Sequence, residues 1–379
     1  MDEKTVLIMT TRFPPPFGGA ATRAWYLSKM LSDLDYRVFV LELIGSGYSR
    51  VVNRIRVLSL RKNVTRYVRS VFPSLLHWLK KIEPQVVIAT NPPREAIIIA
   101  TRLFSGKATI IADVQDITDE YKALYGEIFK AIYRAYYSPM YKSLAKSDYV
   151  FSTTEAMAKY IEDRIAKKVY VAYNGSDPEL YREAYEKNLY REPCKPICTL
   201  VFVGSLDWKY QRLEKLIQAI AILDKKYKYK IRLRVIGSGK YLQYYMHVAE
   251  KYGVKNLVRF YGYVPREKLP DLVASSDIGI AGRPAVRNAW IMVSIRMTIY
   301  DYLAAGIPVI AFGPKISYTR LFIEKHRIGY YIGTDDPNIL AKTIYDNIDY
   351  VLSINRKHCR KISLVYEWNK TLEPIIKKL

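Results

Sequence analysis

Phe13-Pro14-Pro15-Pro16-Phe17-Gly18-Gly19 separates an apolar run, Thr5 to Thr10, from a helical pattern, Ala21 to Leu34. Strand, glycine loop and helix in that order make the repeating unit of a parallel α/β sheet. Glycines at such a junction let the backbone come close to a ligand, and the free N–H groups and dipole of the helix start favour negative charge there. A tight strand-to-helix turn without a ligand fits the same residues. Gly18, Gly19 and the nearby Arg23 are the candidate residues of this junction.

Further strand-like runs follow at Arg37 to Leu41, Val86 to Thr90, Thr109 to Ala112, Tyr149 to Ser152 and Val169 to Ala172, with helical patterns between them. A second series begins at Leu200 to Gly204 and continues through Arg232 to Gly237, Val258 to Tyr261, Ile278 to Ala281 and Val309 to Ala311. This alternation predicts parallel sheets with crossover helices. The charged stretch Arg182 to Ile197, with Pro193 and Pro196, reads as a linker. The expected domains are residues 1–185 and 186–379, two doubly wound Rossmann-like domains facing across a cleft that receives the C-terminal ends of both sheets. Leu340 to Leu379 is helical in pattern, and its end is expected to return to the first domain.

With 379 residues, half of them hydrophobic, the chain has ample material for buried cores. Cys194, Cys198 and Cys359 form neither a disulfide framework nor a zinc-ligand spacing, which points to an intracellular protein with no metal. There is no signal-peptide pattern and no apolar run of membrane-spanning length, so a soluble or peripheral protein is expected. The 34 tyrosines and many lysines hint at a thermophilic source.

A net charge of +24 implies an anionic partner. Between Glu42 and Glu83 there is no carboxylate, while Arg50, Arg54, Arg56, Arg61, Lys62, Arg66, Arg69, Lys80 and Lys81 alternate with apolar residues ending in Trp78. Such a segment suits an anionic membrane surface. An ordinary packed helix with a solvated basic face matches the same pattern.

Gly204-Ser205-Leu206-Asp207-Trp208-Lys209-Tyr210-Gln211-Arg212 follows the first strand of the second series and leads into a helix. Cations beside a glycine turn and a helix start suit a diphosphate, which makes Lys209 and Arg212 candidates. Gly237-Ser238-Gly239 carries only the weight of a turn. Asp301 stands on an apolar, small-residue helix ahead of Gly306-Ile307-Pro308, where a carboxylate could accept two ribose hydroxyls.

The order of these motifs resembles the large family of retaining, metal-independent GT-B glycosyltransferases of the family 4 and group 1 type, which use nucleotide sugars. The resemblance runs from the Pro-Pro-Gly-Gly loop through Asn174-Gly175-Ser176-Asp177, Val203-Gly204-Ser205 and Gly262-Tyr263-Val264 to Tyr302-Leu303-Ala304-Ala305-Gly306-Ile307-Pro308-Val309. Asn91-Pro92-Pro93 and Asp113-Val114-Gln115-Asp116 are most similar to the branch that builds surface polysaccharides on polyprenyl-diphosphate lipids. The resemblance implies a nucleotide-diphosphate sugar as donor substrate, no cofactor, and a lipid-linked or glycan acceptor. It also implies a place in the cytoplasm at the inner face of the cell membrane. On the donor side it assigns Gly18, Gly19, Gly204, Lys209, Arg212, Arg296, Thr298 and Asp301, with Gly262, Tyr263 and Val264 framing the base. Asp116 and Gln115 take the catalytic positions facing sugar and acceptor, and Arg23 and Asn91 the acceptor side. Three positions depart from the family pattern: Val293 replaces the first of two acidic residues, Ser205 an arginine, and Thr298 a lysine. Arg296 and Arg283 are the cations placed to compensate.

Two rival readings are a sugar-nucleotide epimerase of the same two-domain shape and a non-enzymatic anionic-polymer-binding protein. The epimerase would need cleft histidines and carboxylates, yet His77, His247, His326 and His358 all lie outside the motif loops. A nucleic-acid binder would need a recognition module, and none is recognisable, so nucleic acid is not an expected partner. Asp33-Leu34-Asp35 imitates a metal-binding acidic pair but falls in a turn.

Overall fold

The computed structural model describes residues 4–14, 19–45, 47–61, 77–79, 81–117, 127–192 and 197–379. The chain divides into two compact units, Met1–Asn174 with Trp368–Leu379, and Gly175–Glu367.

In the first unit the strands are β1 (Thr5–Thr10), β2 (Arg37–Gly45), β3 (Arg50–Val52), β4 (Ile55–Arg61), β5 (Val86–Asn91), β6 (Thr109–Val114), β7 (Tyr149–Ser152) and β8 (Tyr170–Val171). They lie in the order β3-β4-β2-β1-β5-β6-β7-β8. All neighbours run parallel except the β3–β4 hairpin. Every residue of β1 is buried, as a central strand covered on both faces requires. The strand order reverses at β1, which pairs with β2 on one side and β5 on the other. Helix Gly19–Asp33 makes the first crossover.

In the second unit, β9 (Cys198–Val203), β10 (Ile231–Ile236), β11 (Val258–Gly262), β12 (Ile278–Gly282), β13 (Val309–Phe312) and β14 (Gly329–Ile332) form a parallel sheet ordered β11-β10-β9-β12-β13-β14. Its reversal lies between β9 and β12. Leu200, Phe202, Leu233 and Val235 pack with Ile217 and Ile220 of helix Leu213–Lys226, all essentially without exposure. Burial of each such side chain stabilises the unit by about 1.5–3 kcal/mol.

Three expectations need correction. The stretch read as a linker is helical over its first half: Pro178–Asn188 is a helix whose N-cap Asp177 accepts from the Leu180 N–H at 3.1 Å. Its Tyr181 and Ala184 are buried, and it packs on helix Leu269–Ala274. The units therefore divide at 174/175 and not at 185/186. The charged outer face of this helix concealed its apolar stripe. Secondly, the start of the carboxylate-free basic stretch is the β3–β4 hairpin, because Ile55 and Val57 point inward and Arg56 outward with a period of two. Lys62, Arg66 and Arg69 lie outside the described residues. Thirdly, β14 was not anticipated, since its two central tyrosines stay half-buried.

The last helix, Trp368–Ile376, packs against helix Gly19–Asp33, with Trp368 stacked on Tyr26 at 5.1 Å between ring centroids. Just before it, the Tyr366 carbonyl accepts the Ser176 N–H at 2.7 Å. Cys198 and Cys359 are buried thiols, and Cys194 lies outside the described residues. Among the described residues no helix is long and apolar enough to cross a membrane.

Candidate functional site

The reversal point of the second sheet holds a buried arginine. Arg296 directs Nη1 toward the Gly282 carbonyl at 3.5 Å and Nη2 toward the Val203 carbonyl and Gln211 Oε1, both at 3.4 Å. It thus spans the C-terminal ends of β12 and β9. Its contacts are long, and no carboxylate pairs with it among the described residues. Burial first, and then the like charge of Arg283, push its guanidinium down to about 10. Gln211, itself buried, also donates to the Ser205 carbonyl at 2.8 Å and so fixes the loop after β9. Tyr302 joins the same two strands, accepting the Val203 N–H and donating to the Ile280 carbonyl, each at 3.1 Å.

Glycine is obligatory beside this point. A Cβ on Gly237 would stand 1.9 Å from the Gly204 carbonyl oxygen, at a φ of +145°. A Cβ on Gly282 would meet the Gln211 carbonyl oxygen at 2.4 Å. Gly237 is thus needed for the packing of neighbouring strand ends, more than the turn read from sequence. Gly262 ends β11, and its carbonyl accepts the Gly237 N–H at 2.8 Å. After it Tyr263 is 63% exposed and Val264 half-buried.

The two loop cations differ. Lys209 is exposed, with its ammonium 3.9 Å from the Tyr244 ring centroid and 5.0 Å from that of Tyr241. Arg212 is held by Asp335 at 2.8 Å and Glu214 at 3.6 Å. Asp301 stands on helix Thr298–Ala304, one turn after Thr298. Burial raises its carboxyl to about 6, against the pull of Arg266 and with the help of Asp177, which Arg266 pairs at 3.6 Å. Tyr181, fully buried, is a further neighbour.

In the first unit Gly19 opens its helix, and Gly18 lies outside the described residues. Arg23 has no exposure: Nε and Nη2 donate to Asp113 at 2.8 Å each, and Nη1 donates to the Tyr173 carbonyl at 2.8 Å. Asp113, at the end of β6, also accepts from Gln115 Nε2 at 3.0 Å. Asn91 ends β5 without exposure, donates from Nδ2 to the Asp116 carbonyl at 2.7 Å, and keeps a buried Oδ1 with no hydrogen-bond partner among the described residues. Arg23, Gln115, Asn91 and Asp116 thus gather around the ends of β5 and β6, with Arg23 and Gln115 joined through Asp113.

Gln211, Asp335 and Tyr173 were not singled out from sequence. Gln211 lay between two more conspicuous cations, Asp335 is over a hundred positions from Arg212, and Tyr173 acts through its backbone. Among the described residues no group of three or more His, Cys, Asp and Glu side chains converges as a metal site would require.

Residues 17–180 match the model described as Glycosyltransferase Family 4, and residues 197–349 that described as Glycosyl transferases group 1. An uncharacterized glycosyltransferase of Methanocaldococcus jannaschii is 33% identical over 137 residues, 36% of this chain and 34% of that protein. The match thus spans about a third of the length of that curated relative. Among solved structures, sucrose-phosphate synthase from Thermosynechococcus elongatus superposes with a TM-score of 0.77 at 14% identity, over 99% of this chain and 98% of that one. HepE of Anabaena, solved with UDP-glucose, gives 0.74 at 15% identity over 99% and 98%. WaaG, a glycosyltransferase involved in lipopolysaccharide biosynthesis, gives 0.70 at 16% identity over 98% of each chain. At these identities the likeness is one of fold.

Proposed function

Since the chain belongs to the family 4 and group 1 glycosyltransferases and has the GT-B fold, we propose that it moves a sugar from a nucleotide-diphosphate sugar to an acceptor hydroxyl. The acceptor would be a lipid-linked sugar or glycan, and transfer would proceed with retention and without metal. The observation that carries this reading is Arg296, a buried guanidinium lacking a carboxylate among the described residues, at the sheet position where such folds bind ligands. A buried charge left in that state is costly, and an anionic ligand relieves the cost.

In this reading Arg296 and Lys209 neutralise the diphosphate as it leaves, helped by backbone N–H groups around Gly204, and Gly19 is the first unit's candidate for the donor. Arg212, already neutralised by Asp335 and Glu214, orders the loop. Thr298 opens the helix that carries Asp301 to the ribose, and Gly262, Tyr263 and Val264 frame the base. Gln115 and Asp116 serve the sugar and acceptor. Arg23 acts through Asp113, and Asn91 has one amide oxygen left to receive a hydroxyl. The leaving diphosphate takes the acceptor's proton on the same face, and the protein contributes position and positive charge. HepE, solved with UDP-glucose, is a precedent of the same fold for this donor class. An anionic membrane surface would bring the enzyme to a lipid-linked acceptor.

Thermal stabilisation across a panel of nucleotide sugars tests the reading, with binding expected to raise the melting temperature. Product formation should then persist in EDTA. Loss of activity on chelation, restored by magnesium or manganese, would overturn the metal-free mechanism.

A further inference from the structure

Besides Arg296 and Lys209, the strand ends of the second unit carry Arg283. Arg283 follows Gly282 directly, and its N–H donates to the Phe312 carbonyl at 2.9 Å. Its guanidinium lies 4.5 Å from the Trp290 ring centroid and 5.0 Å from that of Tyr210. Those two rings stand perpendicular, 5.2 Å apart. Two aromatic rings flank the guanidinium at cation–π distance. No carboxylate pairs with Arg283 among the described residues, and its charge bears on Arg296.

The diphosphate of a nucleotide sugar brings two negative charges, which Arg296 and Lys209 match. Arg283 remains. We propose that Arg283 is a specificity residue that binds the carboxylate of the transferred sugar, so that the donor is a nucleoside-diphosphate uronic acid. This rests on the nucleotide-sugar reading above. A carboxylate offers a guanidinium two parallel charge-assisted hydrogen bonds, which a neutral hydroxymethyl group does not. In the transfer, the anomeric C–O bond to the diphosphate breaks and one to the acceptor oxygen forms. The acceptor's proton leaves with the diphosphate, and the uronate carboxylate is unchanged.

The experiment first identifies the base with a panel of nucleoside diphosphates. Calorimetry then compares matched donors on that base: glucose against glucuronate and galactose against galacturonate. In the wild type one uronate is expected to bind about tenfold or more tighter than its neutral partner. Arg283→Gln, shown by its melting curve to be folded, should lose that preference and bind the free diphosphate as before. Arg283→Lys should keep only part of the preference, and this variant carries the comparison if the Gln variant does not fold. Equal binding of neutral and uronate donors by the wild type overturns the proposal. So does a preference that survives in the variants, or an equal loss for every ligand including the free diphosphate, which would assign Arg283 to the diphosphate. Binding of no nucleoside diphosphate at all instead overturns the nucleotide-sugar reading itself.

Discussion

Arg23 and Asp113 meet through two parallel hydrogen bonds, Nε to Oδ2 and Nη2 to Oδ1, each 2.8 Å, with neither side chain exposed. The pair fastens the first crossover helix to the end of β6 and, through Asp113, orients Gln115. Its contribution lies in geometry, because two desolvated charges largely offset their own attraction.

Arg23→Met should therefore destabilise the protein by about 3–5 kcal/mol, as it leaves Asp113 buried and unpaired. The double variant Arg23→Met with Asp113→Leu should recover much of that loss. Denaturant unfolding measures both, and a double variant no better than the single would show that the cost comes from packing.

Arg296→Met should have the opposite sign. Burial lowers the guanidinium from its ordinary 12.5 to about 10, so the group stays charged at neutral pH but holding that charge in the folded state costs stability. Its removal is expected to leave stability unchanged or raise it by about 1–3 kcal/mol, while nucleoside-diphosphate affinity falls about 10- to 100-fold. A stable variant with wild-type affinity would remove Arg296 from the site.

Asp301 predicts a pH dependence. Its carboxyl titrates near 6 in the folded protein against an ordinary value of 3.8. The folded state thus binds this proton more tightly, which favours folding below the ordinary value, and that advantage disappears as pH rises through 6. Relative to wild type, Asp301→Asn should gain on the order of 2 kcal/mol between pH 4 and pH 7. It should also weaken nucleotide binding while sparing inorganic diphosphate. A stability difference that does not change with pH would count against the raised carboxyl.

Lys209→Ala is expected to weaken diphosphate binding by about fivefold or more at low salt, and less at high salt, as its exposure implies. Arg212→Ala should cost less affinity and more stability, since Asp335 and Glu214 already hold that charge. Titration of the two single variants at two salt concentrations distinguishes them, and the reverse ranking would move the diphosphate toward Arg212.

Alternating apolar runs and helical patterns disclosed both parallel sheets, because strands buried on both faces are written as near-continuous hydrophobic stretches. The β3–β4 hairpin and β14 escaped, since one was obscured by arginines on its outer face and the other carries half-buried tyrosines. Gly19 and Gly204 stand beside strand ends in the sequence, whereas Arg296 entered only through the family resemblance, as a cation compensating for departures from its pattern. The charge state of each cation was not legible. Whether a guanidinium is neutralised depends on partners such as Asp113, ninety positions from Arg23, or Asp335, more than a hundred from Arg212, and local sequence carries no trace of such pairings.

The stacking of Trp368 on Tyr26 bears on how the chain folds as it is synthesised. Residues 175–367 interrupt the unit that begins with β1, and that unit also contains residues 368–379. Its first 174 residues leave the ribosome early and must wait, with the face meant for the last helix uncovered, while the whole of the second unit is made. The order of completion is therefore inverted: the unit begun second is finished first, and a chain stopped short of residue 368 would lack the last helix of its N-terminal unit while its second unit is complete.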